Sequence, residues 1–156
     1  MKDLIIKKAK KEDLNQIMKI YSESVVDEFK TQYPKKTKKE IFKYVGGIKK
    51  IFKNFNKEIK SKKDYWIIAE FKNKIIGFAF ADIFNRDGWL RMNYLNKDFR
   101  KKGIGKKLTE RRIDWFKKQK IKNIYAQVFV KNDSSIKNLK KFKFIPSSII
   151  YERSLE

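Results

Sequence analysis

Residues 89–108 read WLRMNYLNKDFRKKGIGKKL, and the way this stretch divides decides the fold. WLRMNYL has the aromatic and aliphatic content of a strand. From Ile104 the apolar positions Leu108, Ile113, Trp115 and Phe116 run as a helix that ends near Lys120. Strand passes to helix through a turn that holds Gly103 and Gly105. The amides of a first helical turn have no internal partner, and the helix dipole adds a partial positive charge. Glycines there remove the Cβ atoms that would keep a phosphate away. The bland reading is a turn whose glycines only permit positive φ. Two better-known phosphate loops are excluded by counting: a P-loop needs Gly where Arg100 stands and Ser or Thr where Lys107 stands, and the dinucleotide fingerprint needs a third Gly where Leu108 stands.

Upstream, Leu4-Ile5-Ile6 with Ala9 predicts a first strand, and Leu14, Ile17, Met18, Tyr21 and Val25 share one face of a helix that opens at Lys11-Glu12-Asp13. Thr37 can cap a second helix running to Ile59, which Gly46-Gly47 bends or splits. YWIIAEF at 65–71 and IIGFAFADIF at 75–84 flank Lys72-Asn73-Lys74 as an antiparallel hairpin. Arg86-Asp87-Gly88 signals the turn into the strand at 89–95, the third of a meander. Downstream come a strand at 123–130, a short helix at 132–142 and a closing strand at 149–154. The expectation is one α+β domain over residues 1–156 with a mostly antiparallel sheet.

The length suits a single core, and 41% hydrophobic with 15% aromatic residues excludes a disordered chain. There is no cysteine and no histidine, which removes disulfides, the commonest metal ligands and the usual general base together; no metal site is expected. No apolar run is long enough to span a bilayer, so a cytoplasmic protein without membrane contact is expected. The net charge of +23 favours polyanions. Its lysines are spread from Lys2 to Lys143, and arginine stands only at Arg86, Arg91, Arg100, Arg111, Arg112 and Arg153. Abundant Lys, Ile, Asn and Phe is also what an AT-rich coding sequence gives, so drift and selected polyanion binding both account for the charge.

Arg100-Lys101-Lys102-Gly103-Ile104-Gly105 resembles the Arg/Gln-x-x-Gly-x-Gly/Ala signature of the GCN5-related N-acetyltransferases, and the element order matches that family along almost the whole chain. The resemblance implies that amides of Lys101, Lys102, Gly103, Ile104, Gly105 and Lys106, beside Arg100, hold the pyrophosphate of acetyl-CoA. It implies that the backbone of Asn93, Tyr94 and Leu95 contacts the acetyl and pantetheine groups. A second family motif, Asn-x-x-Ala-x-x-x-Tyr-x-x-x-Gly-Phe, aligns with Asn132, Ser135, Leu139, Lys143 and Phe144, which adds Asn132 and Ser135 to the cofactor set. Leu139 stands where relatives often carry a tyrosine that protonates the departing thiolate.

The activity implied is acetyl transfer from acetyl-CoA to a primary amine of a small molecule, protein or peptide. The alternative is a non-catalytic CoA-binding or nucleic-acid-associated module on the same fold, in contact with RNA or the ribosome. Asp82, Asp87, Glu70 and Tyr94 lie in or beside the central strands and are expected to be structural, so no residue is assigned to catalysis. The basic surface favours an acidic acceptor over a polyamine.

Overall fold

The computed structural model describes residues 2–148 and 150. Its elements are β1 (Leu4–Lys8), α1 (Leu14–Gln32), α2 (Lys38–Tyr44), α3 (Ile48–Glu58), β2 (Asp64–Phe71), β3 (Lys74–Phe84), β4 (Asp87–Leu95), α4 (Ile104–Lys118), β5 (Ile124–Ala126) and α5 (Asp133–Lys141). The five strands lie in chain order in one sheet. Pairing is antiparallel from β1 to β4, and parallel between β4 and β5. This is the expected α+β, mostly antiparallel architecture.

The glycine pair splits the expected second helix. Gly46 and Gly47 take φ of 92° and 82°, which ends α2 and starts α3. Thr37 caps α2 in a reciprocal box: its backbone N–H donates to Glu40 Oε2 at 2.7 Å and its Oγ1 accepts from the Glu40 N–H at 3.3 Å. The turn after β3 is placed earlier than expected. Asn85 and Arg86 carry the positive φ of a two-residue hairpin, so β4 begins at Asp87. The expected strand at 123–130 is shorter, pairing only as Gly88–Ile124, Trp89–Tyr125 and Leu90–Ala126. The closing strand expected at 149–154 lies, Ile150 apart, outside the described residues.

Both faces of the sheet are covered. On one, α1, α2 and α3 set Ile17, Val25, Ile41 and Phe55 against Trp66, Ile68, Phe78 and Phe80. The Trp66 ring lies 4.4 Å from Phe80 and 4.6 Å from Phe55. On the other face, Ile104 and Leu108 of α4 pack on Ile67, Ala69, Ile76 and Ala79. This pins the N-terminal turn of α4 beside the end of β4.

A β-bulge lies between these layers. Phe80 pairs with Met92 while Ala81 pairs with Leu90, which leaves Arg91 as the extra residue. Arg112 fills the irregularity from α4. It is 2% exposed and donates to the carbonyls of Phe80 at 3.1 Å, Met92 at 2.9 Å and Leu108 at 3.2 Å. Burial pulls its pKa down to about 9, so it remains a cation at neutral pH. The sequence carried a signal for it: Arg112 falls midway between the buried Leu108 and Phe116 at four-residue spacing, so it must point inward.

Candidate functional site

Because β5 stops at Ala126, β4 continues past it with an edge that is open, among the described residues, from Arg91 to Leu95. The Asn96 N–H donates to the Ile76 carbonyl, and the pleat alternates from there. The backbone groups of Asn93 and Leu95 therefore turn away from β3 toward the open edge, while those of Tyr94 face β3. Of the three residues expected to offer backbone, Asn93 and Leu95 turn theirs to this edge, while Tyr94 turns its backbone to β3 and its hydroxyl to Glu28. Gly77 sits under this end of the strand, where a Cβ would come 2.2 Å from Leu95 Cδ2.

The chain leaves β4 through a single 3-10 turn at Lys97–Phe99 and enters α4 at the glycine pair. Gly103 is the helix cap with φ 77°, a conformation that disfavours any side chain. Gly105 is different. A Cβ there meets nothing closer than Asn93 Nδ2 and Leu95 Cδ1, both at 3.9 Å. The first ladder bond of the helix runs from the Lys107 N–H to the Gly103 carbonyl, so the amides of Ile104, Gly105 and Lys106 precede it. Ile104 buries its side chain and offers only its N–H; Lys101, Lys102 and Lys106 are exposed. Arg100 anchors the loop rather than standing free, donating Nε–H to the Leu95 carbonyl at 3.1 Å and pairing with Asp27 at 3.5 Å. Lys97 also pairs with Asp27, at 3.1 Å. A cleft of about 490 Å³ opens there between α1 and the loop, lined by Ser22, Asp27, Leu95, Asn96, Lys97 and Arg100 among others.

Asn132 and Ser135 lie across the open edge. Asn132 Oδ1 accepts from the Ser135 N–H at 3.1 Å and caps α5. Its Nδ2 donates to Glu28 Oε1 at 3.1 Å, and Glu28 Oε2 accepts from the Tyr94 hydroxyl at 2.5 Å. Glu28 of α1 thus ties β4 to the start of α5. Burial, with Glu28 alongside, pushes the Tyr94 phenol well above its ordinary value and that of Tyr21 up to about 12, so both stay protonated. Thr109 Oγ1 makes a second tie, accepting from Asn93 Nδ2 at 3.3 Å and Asn138 Nδ2 at 2.8 Å. Asn93 Oδ1 is buried with no partner among the described residues, an acceptor that a ligand amide can satisfy. Free amides at the glycine loop, the backbone of Asn93 and the N–H of Leu95 at the edge, and this orphaned oxygen fit the pyrophosphate and pantetheine of a coenzyme A thioester.

The four polar residues considered for catalysis all have partners. Glu70 pairs with Lys7 at 2.8 Å, Asp82 accepts Arg91 bidentately at 2.7 and 3.1 Å, Asp87 accepts from Asn123 at 3.2 Å, and Tyr94 donates to Glu28. One carboxylate that the sequence reading passed over is Glu58. It ends α3 beside Asp64 and Asp82, which face each other in the β2–β3 register, and its Oε2 is buried without a hydrogen-bond partner among the described residues. Burial first, then the charges of Asp64 and Asp82, raise its pKa, with Arg91 opposing. Leu139 packs with Phe144 around Ala81, Leu90 and Phe116. Position 139 belongs to this apolar cluster.

The acetyltransferase (GNAT) family model matches residues 15–144. Among solved structures, the PaiA N-acetyltransferase of Thermoplasma acidophilum in complex with coenzyme A superposes with a TM-score of 0.76 at 22% identity, covering 89% of this chain and 87% of that one. A protein of Clostridium acetobutylicum described as a predicted acetyltransferase, solved with acetyl-CoA, gives 0.74 at 19% identity, with 97% and 96% covered. An aminoglycoside 6'-N-acetyltransferase of Acinetobacter haemolyticus gives 0.71 at 14% identity, with 97% and 98% covered. The family model covers most of the chain, from α1 through α5, and the chain belongs to the acetyltransferase (GNAT) family.

Proposed function

We propose that this protein is an acetyl-CoA-dependent N-acetyltransferase acting on a primary amine. The observation that carries the reading is the conjunction of the Gly103–Lys106 amides with the backbone edge that β4 exposes after Leu90. When bound, acetyl-CoA supplies a thioester whose carbonyl carbon accepts the amine, giving an amide and a free thiol. The chain's own residues then have four tasks. The amides of Gly103 to Lys106 hold the pyrophosphate, with Lys101 and Lys102 adding charge. Asn93 and Leu95 align the pantetheine arm along β4, and Asn132 with Ser135 closes the far side. Fixing the reactants supplies most of the rate in such a transfer. Proton removal falls to a carboxylate, a tyrosine or an ordered water, because there is no histidine.

Glu58 at the end of α3, with Asp64 and Asp82 of β2 and β3, lies beside Arg91, the bulged residue where β4 leaves β5. They favour an acceptor whose amine arrives as an ammonium ion, and this weighs against the preference for an acidic acceptor drawn from net charge. A second reading, a CoA-binding module without transfer, draws support from Leu139 in place of a phenol.

The test is isothermal titration with acetyl-CoA on wild type and Gly105→Val, followed by an amine panel with thiol detection. The Cβ of residue 105 has room in the fold, so the variant stays folded and loses at least about tenfold in affinity as its side chain blocks the pyrophosphate. Unchanged affinity in a folded variant removes the cofactor reading. Binding without thiol release from any amine favours the non-catalytic module.

A further inference from the structure

A second cleft, of about 340 Å³, lies on the opposite side of α4 from the β4 edge and is lined by Tyr65, Arg111, Asp114, Trp115, Lys117 and Lys118. The Tyr65 and Trp115 rings form one wall, parallel within 10° at 5.0 Å between centroids. Three cations surround them, against a single carboxylate, Asp114, which pairs with Lys117 at 3.5 Å. Burial pushes the Tyr65 phenol above its ordinary value, with Arg111 opposing. Arg111 to Lys118 lie about 9 to 20 Å along the helix from Gly105, at 1.5 Å per residue. The cleft is therefore separate from the glycine loop.

We propose that this cleft binds single-stranded nucleic acid, with a base stacking on the Tyr65–Trp115 wall and phosphates held by Arg111, Lys117 and Lys118. An aromatic platform inside a cationic groove is the combination that recognises unpaired strands: the rings accept any base face, and the cations follow the backbone. Diffuse lysines alone attract duplex and single strand alike. A stacked aromatic pair within the basic patch prefers strands whose bases are free. The proposal does not rest on acetyl transfer.

The experiment is fluorescence anisotropy with a labelled uridine oligomer of about 12 nucleotides, within the span of known single-strand sites. Wild type is compared with Arg111→Glu/Lys117→Glu/Lys118→Glu and with Lys50→Glu/Lys53→Glu/Lys57→Glu on α3, which changes net charge equally. The cleft variant weakens binding at least tenfold and reduces the slope of log K against log salt by about 2, at roughly 0.7 per lost cation. The α3 variant loses less than about threefold. Tryptophan emission is quenched by the oligomer in wild type, and the quench disappears in Trp115→Phe. Equivalent binding of the deoxy oligomer supports the same chemistry. Equal losses in the two charge-matched variants, or duplex bound as tightly as single strand, overturn it. Acetyl-CoA affinity, measured alongside, stays at the wild-type value in the cleft variant, which keeps this outcome distinct from failure of the transferase reading.

Discussion

Glu28 and Tyr94, 66 residues apart in the chain, share a hydrogen bond of 2.5 Å, and the second oxygen of Glu28 takes the amide of Asn132 at 3.1 Å. One carboxylate therefore fixes β4 and the cap of α5 on the two sides of the open edge. Tyr94→Phe leaves Glu28 one acceptor short of a partner, which costs about 1 to 3 kcal/mol when the group is buried. A chain of this size then melts lower by about 2 to 4 °C per kcal/mol. Glu28→Ala has the larger effect, because it frees Tyr94 and Asn132 together. Melting curves of the two single variants and the double check this. Additive losses would mean that Glu28 and Tyr94 do not act as a pair.

The sequence carried the meander, the split at Gly46-Gly47 and the glycine loop because each rests on local chemistry: alternation of apolar residues, positive φ, a capping threonine. It did not carry Glu28. That residue is an acid on a helix rich in polar residues, and only the tertiary fold brings it to Tyr94. The length of β5 was also hidden. NIYAQVFV has strand composition throughout, yet Phe129 leaves the sheet to pack against Phe29 at 5.1 Å and Tyr33 at 6.0 Å, which opens the groove. Arg112 was legible from its spacing, though its role in the bulge was not.

Glu58 gives the stability a pH dependence with a definite sign. Its raised pKa means that the folded state keeps this proton to higher pH than the unfolded chain, whose value lies near the ordinary 4.5. Stability from this group is present below that value and is lost as pH rises through the folded pKa. Glu58→Gln removes the loss. The variant melts above wild type at pH 8, and the gap closes toward pH 4, as thermal scans across that range would record. A gap that is constant with pH would mean that the carboxyl does not titrate differently in the two states.

Leu139→Tyr tests whether position 139 holds a missing acid. Leu139 packs in the cluster with Phe116 and Phe144, and the Phe144 N–H bonds back to its carbonyl at 3.3 Å. A phenol there overpacks this apolar site at about 1 to 3 kcal/mol. The expected result is a lower melting temperature with acetyl-CoA affinity unchanged and no gain in turnover. A stable variant whose turnover rises tenfold would instead put residue 139 at the reacting thioester.

Of the four left-handed lysines among the described residues, Lys120 and Lys143 stand at helix ends, where glycine is the usual residue. α4 and α5 both end in Schellman motifs: the N–H groups of Lys120 and Ile121 bond to the carbonyls of Lys117 and Phe116, and those of Lys143 and Phe144 to Lys140 and Leu139. In each motif the residue after the cap is left-handed, with φ of 58° at Lys120 and 63° at Lys143. α2 ends in the same way with Gly46 at that position. A side chain in the left-handed region costs about 1 to 2 kcal/mol. Glycine returns about 0.4 to 1 kcal/mol of that to the unfolded chain as entropy. Each of Lys120→Gly and Lys143→Gly therefore stabilises by roughly 0.5 to 1 kcal/mol net, and the two add because they lie on separate helices. Lys101 is equally left-handed, with φ of 60°, in the loop proposed to hold the pyrophosphate, so strain alone does not separate drift from selection at Lys120 and Lys143. Denaturant titrations of the two variants and their combination, with oligonucleotide anisotropy on the same samples, decide between these origins. Higher stability with unchanged nucleic-acid affinity assigns these two charges to drift, and a loss of affinity as large as that of the Arg111–Lys118 cleft variant assigns them to binding.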